Sequence, residues 1–142
     1  MEEVVKFSVE HKLTVEDIKD ILTTAIEGGI GYWACLLNDT PEWIKACKTL
    51  KESMKDTPCY CDVAWEVLSN NEAVKFEDEG DCIEDDEAPI LELTKEKLLK
   101  GCALYTGYTG KDIHESMEKG DFDANDADMI IQFALFGELM YG

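Results

Sequence analysis

The chain contains no arginine. All thirteen of its basic residues are lysine, set against thirty-two acids for a formal net charge of -19. Arginine supplies the planar fork that grips phosphate and carboxylate, and direct nucleic-acid binding needs many neutralised phosphates. A chain without it, at a pI near 4.2, points away from direct nucleic-acid contact and toward a basic protein partner. Histidine is scarce as well: His11 and His114 are the two copies, and neither has a zinc-ligand partner at a familiar spacing. No nucleophile elbow, phosphate-binding loop or dinucleotide fingerprint is present. Six cysteines and two histidines can be drawn into some dyad in almost any chain, so no dyad is inferred. The reading is a protein that is not an enzyme, with no cofactor and no metal.

Long apolar runs are missing too, which argues against a membrane span. The opening MEEVVKFSVEHK carries acids where a secretory leader needs cations followed by an apolar stretch. The expected setting is therefore cytoplasmic, with the cysteines as reduced thiols, most of them packing as small hydrophobes. Cys59-x-Cys61 is one residue short of a CxxC zinc knuckle and reads as thiols at a helix start. Asp121-x-Asp123-x-Asn125 opens like a calcium-binding loop. It then places Asp126 and Gln132 where that loop needs a glycine and a bidentate glutamate.

What is present favours a folded body. A hydrophobic fraction of 45 % is too high for a chain kept disordered by its charge, and 142 residues suit a single domain, 1–142. The pattern predicts an α+β fold of about five helices with a small antiparallel hairpin or sheet. Residues 4–9 form a short strand or loose arm. A helix capped by Thr14 ends at Gly28-Gly29, and a strand follows at 30–37. Thr40-Pro41 and Thr57-Pro58 each open a helix. AVKF (73–76) and PILEL (89–93) pair as a hairpin. Thr94 caps a helix running to Tyr105, the stretch 106–111 is loop, and a short turn covers 112–119. Asp123 caps a last helix over 124–140 that is apolar almost all round. Such a helix is either buried or pairs with a second copy of the chain.

The hairpin tip concentrates the charge. Residues 1–71 hold seven lysines and thirteen acids, whereas residues 72–142 hold six lysines and nineteen acids. FEDEGDCIEDDE (76–87) contains eight carboxylates and no cation. An acidic loop over 77–88 would offer Glu77, Asp78, Glu79, Asp81, Glu84, Asp85, Asp86 and Glu87 as partner contacts. Asp121, Asp123, Asp126 and Asp128 would form a second cluster. An alternative site is an aromatic ligand pocket of Tyr32, Trp33, Tyr60 and Trp65, able to stack a nucleotide base.

Three segments, TTAIEGGIGYWACL (23–36), LELTKEKLLKG (91–101) and DADMIIQFALFGELMYG (126–142), resemble an uncharacterised family of small acidic phage and prophage proteins of Firmicutes. They span about a third of the chain, and residues 37–72 depart from the family pattern. That family has no assigned activity, so the resemblance transfers no site residues. It implies a viral protein acting in the cytoplasm of an infected bacterium. The combined expectation is an accessory protein that binds and inhibits a basic, nucleic-acid-handling host defence protein, acting as an anti-CRISPR or nucleic-acid mimic. The alternatives are a sponge for a nucleotide immune signal, or a structural or regulatory phage protein that forms homo-oligomers through 124–140.

Overall fold

A computed structural model of the chain describes residues 2–54, 56–80 and 88–142. Among them the fold is α+β, with six α-helices and one three-stranded antiparallel sheet. Five of the helices begin in the same way. Thr14, Thr40, Thr94, Asp112 and Asp123 each accept, through a side-chain oxygen, the N–H three residues on. That contact satisfies an amide the helix leaves without an intrahelical partner. These caps open α1 (Val15–Thr24), α2 (Pro41–Ser53), α4 (Lys95–Thr109), α5 (Ile113–Glu118) and α6 (Ala124–Phe136).

The remaining helix, α3 (Tyr60–Ser69), starts two residues later than its Thr57-Pro58 signal suggests. Its N-cap is Cys59, whose backbone N–H donates to the Asp62 carboxylate at 3.3 Å. A cap at Thr57 would place Tyr60 at the third position, with no carboxylate to reach back; a cap at Cys59 places Asp62 there. Other boundaries move for equally local reasons. Residues 2–14 hold no helix or strand, and Val4, Val5, Phe7 and Val9 are exposed. α1 runs on through one π turn, Ala25–Gly29, closed by the Ile30 N–H on the Ala25 carbonyl. Residues 30–33 then fold as a turn, so the strand predicted over 30–37 shortens to β1 (Ala34–Leu36). α4 continues to Thr109 and α6 stops at Phe136, each ended by a left-handed glycine, Gly110 and Gly137.

The expected hairpin is present as β2 (Val74–Asp78) and β3 (Ile90–Leu93). β2 is the central strand, with Phe76 opposite Leu36 of β1 and Leu91 of β3. Val74, Phe76 and Leu93 face the core, and alternate residues face outward. α6 packs against α4, α1, the π turn and β3. It buries Ala127, Ile130, Ile131, Phe133 and Ala134, so the apolar surface that suggested pairing with a second copy lies inside the chain's own core. Close approach to α4 depends on Gly101. A Cβ there would sit 2.6 Å from the Ile130 carbonyl oxygen and 2.7 Å from Ala134.

α5 is held to α1 by charge. His114 Nδ1 meets Asp17 Oδ2 at 2.7 Å, and its Nε2 meets Glu118 at 3.0 Å. The Asp17 hydrogen bond is the main cause that raises the His114 pKa above its ordinary value. Burial pushes Asp17 upward, but the Thr14 N–H and His114 outweigh it and hold that carboxyl low.

Two outcomes follow from this packing. Gly101→Ala should lower stability by about 1–3 kcal/mol through overpacking. Gly107→Ala, with open space around its Cβ, should instead raise stability by up to about 1 kcal/mol; urea unfolding of both variants checks the contrast. A folded-state His pKa above the unfolded one stabilises below about 6.5 and fades as pH rises through the folded value. The lowered Asp17 contribution is present above about 4 and fades in acid. His114→Gln should therefore destabilise most between about pH 4 and 6.5 and approach wild type at alkaline pH, as denaturation across pH would show.

Candidate acidic binding surface

Side chains along β2 alternate, and this decides the roles of the acids at its end. Val74 and Phe76 point inward, so Asp78 points the same way, while Glu77 points out with Lys75. Glu77 and Asp78 thus belong to the strand rather than to the loop. An inward carboxylate needs donors. Asp78 receives the Tyr141 hydroxyl at 2.8 and 3.0 Å and the Gly80 N–H at 3.1 Å. It is therefore an anchor and not a free partner contact. Gly80 has no side chain because the Tyr141 ring occupies that space; an added Cβ would lie 2.4 Å from it. On the other side, the Glu79 N–H donates to the Trp33 carbonyl at 2.7 Å.

Trp33 and Tyr141, the two residues gripping the base of the acidic segment, stack on each other with centroids 5.2 Å apart. Both are tied to α6. Asp128 accepts Trp33 Nε1 at 2.8 Å, Gln132 Nε2 at 2.9 Å and the Tyr32 hydroxyl. Gln132, only 1 % exposed, accepts the N–H groups of Met140 and Tyr141 at 2.8 Å each through Oε1. Its Nε2 also donates to the Tyr141 carbonyl. Burial and the Asp128 carboxylate push the Tyr32 phenol up to about 12, so it remains a proton donor. Charge-assisted bonds of this kind are about twice as strong as neutral ones.

The second predicted cluster divides. Asp121 and Asp123 are exposed, and Asp123 caps α6. Asp126 and Asp128 are buried and cannot meet a partner. Asp126 accepts the Tyr105 hydroxyl at 2.7 Å and the Asp123 N–H at 2.9 Å. Burial raises its pKa, but those two donors, Tyr105 first, lower it on balance. Charge count alone could not separate these four residues; their position at the third residue of a capped helix, or one turn before a buried glutamine, could have done so.

The four aromatic residues do not converge on one pocket. Trp33 is 1 % exposed. Tyr60 sits beside Trp43 at 6.0 Å, and Trp65 lies under Lys95 Nζ at 5.7 Å. Tyr32 lines a cavity of about 710 Å³ with Asn125, Met129 and Tyr141, and none of the other three reaches it.

Among the described residues, Glu77 and Glu79 enter no ion pair; the lysines pair elsewhere, Lys75 with Glu42 and Lys45 with Glu72. Asp81, Glu84, Asp85, Asp86 and Glu87 lie outside the described residues. Also among those described, one group of three metal-capable side chains is close enough to share an ion, at Cys59, Cys61 and Asp62. No described helix is long and apolar enough to cross a membrane. No protein-family model, curated protein or solved structure matches the chain.

The Tyr141 hydroxyl bridges to a half-buried carboxylate, so its removal has a defined cost. Tyr141→Phe should destabilise the protein by about 1–2 kcal/mol, the cost of leaving a partly buried acceptor without its donor. Chemical denaturation at neutral pH measures it.

Proposed function

We propose that this chain is a non-enzymatic accessory protein that binds and inhibits a basic, nucleic-acid-handling protein of its host through the acidic segment 77–87. The observation that carries the proposal is the eight cation-free carboxylates of that segment, launched from a base held by Asp78–Tyr141 and Glu79–Trp33. A charged segment whose root is fixed loses less conformational freedom on docking than a free tail does. Its carboxylates can take the places that phosphates occupy in a basic groove, each lysine or arginine there finding a charge-assisted partner. The resemblance to phage and prophage proteins supports a defence enzyme as the target, such as a CRISPR nuclease or a restriction complex, met in the cytoplasm of the infected cell.

The contacts are Glu77, Glu79, Asp81, Glu84, Asp85, Asp86 and Glu87, with exposed Asp121 and Asp123 as an outlying pair. Asp78 stays with the fold. Long-range attraction of this kind speeds encounter and weakens with salt.

Immobilised full-length chain should retain basic nucleic-acid-binding proteins from host lysate. Retention should fall as salt rises from about 0.1 to 1 M, where the screening length shrinks from about 10 to 3 Å, and duplex DNA should compete. Replacing the seven contact acids of 77–87 by their amides, with Asp78 kept, should abolish retention. Retention that ignores salt and survives the amide substitutions would overturn the proposal.

A further inference from the structure

The first turn of α3 combines side chains that no other helix start among the described residues has. Cys59 is its N-cap, Cys61 its second residue and Asp62 its third. One donor atom from each lies within 4.8 Å of the other two. Cys59 Sγ donates to Asp62 Oδ2 at 3.1 Å. Asp62 Oδ1 faces away, onto Lys19 Nζ of α1 at 3.1 Å. One carboxylate oxygen is therefore held by a cation while the other receives the Cys59 thiol.

Two observations point to a ligand. The five other helices are capped by Thr or Asp, residues whose oxygens cap well. A thiol is a weak hydrogen-bonding group, so the Cys59 side chain is a poorer cap than the oxygens at the other five starts. The second is the donor set itself: two sulfurs and a carboxylate oxygen, with a supporting partner behind the carboxylate. In tetrahedral thiolate sites Zn–S is about 2.3 Å, which sets donor separations of roughly 3.5–3.8 Å.

We propose that Cys59, Cys61 and Asp62 form a binding site for a thiophilic divalent cation of the Zn2+ class, with a fourth position open to water or to a partner's side chain. Binding replaces two S–H bonds by two metal–sulfur bonds and releases two protons to solvent. The bound set of two thiolates, one carboxylate and one divalent ion carries a single negative charge, which Lys19 balances. Metal binds the thiolate form of each sulfur, so affinity should rise with pH. The charged groups facing the site are Asp62 on α3, and Lys19 with its neighbour Glu16 on α1.

The test is titration of the reduced full-length chain with Co2+ and Cd2+, followed by thiolate-to-metal charge-transfer absorption and by proton release in weak buffer. The expected result is one equivalent bound with about two protons released. The band should vanish in Cys59→Ser and in Cys61→Ser. Serine is itself a good N-cap, so the first variant keeps the helix, and circular dichroism confirms the fold of both. Asp62→Asn should weaken binding by at least the roughly ten- to hundredfold that a supporting partner alone can contribute. The absence of any charge-transfer band in the wild-type chain would overturn the site. So would a band that persists in the double serine variant, since Cys35, Cys47, Cys82 or Cys102 would then be the ligands.

Discussion

A buried carboxylate one helical turn from a buried amide organises this molecule. Asp128 and Gln132 occupy the same face of α6, four residues apart, and their polar atoms leave the helix in different directions. Asp128 fixes the turn that carries Tyr32 and Trp33, and Gln132 fixes the backbone of residues 140 and 141. The two segments so held meet at the Trp33–Tyr141 stack. From that stack, one carbonyl and one hydroxyl hold the root of the acidic segment. No described cation lies in ion-pair range of Asp128. Three hydrogen-bond donors take a cation's place, the arrangement required when a carboxylate is withdrawn from water.

Negative charge therefore does two kinds of work in this chain. Asp17, Asp62, Asp112, Asp123 and Asp126 lie at helix starts, where exposed N–H groups and the helix dipole welcome an anion. Asp78 and Asp128 accept hydroxyl, indole and amide donors. Of the acids that remain, seven fall in the one sequence segment 77–87. A high net charge is compatible with an ordered core here because the inward carboxylates are met by donors that bind the structure together.

Five of the six helix starts, the hairpin and the α+β class were legible in the sequence because each rests on chemistry spanning only a few residues. Thr14 with Asp17, Thr40 with Pro41, and the capping Thr94 and Asp123 announce themselves locally. Where the reading slipped, tertiary context had decided. An apolar run at 30–37 suits a strand, yet Trp33 turns inward to reach Asp128, almost a hundred residues away in sequence. The stretch 106–111 has the glycines of a loop, yet helix continues through Gly107 until Gly110 adopts a left-handed backbone. Asp126 and Asp128 looked like surface charge because composition cannot reveal which acids have a phenol or an indole waiting. Tyr141 gave no local signal at all, and Gln132 gave little. Their partners lie in other elements, and a lone glutamine in an apolar helix was the one clue available.

The central claim is that this buried pair on α6 governs the base of the acidic segment from a distance. Native-state hydrogen exchange of Gln132→Leu tests it most directly, since the substitution leaves the helix its shape and removes every polar contact of the side chain. The account predicts that protection is lost together at the Met140, Tyr141 and Glu79 amides, while the amides of α4 keep theirs. Glu79 retaining wild-type protection while Met140 and Tyr141 exchange freely would contradict it. The acidic segment would then be held by its own hairpin and not by α6.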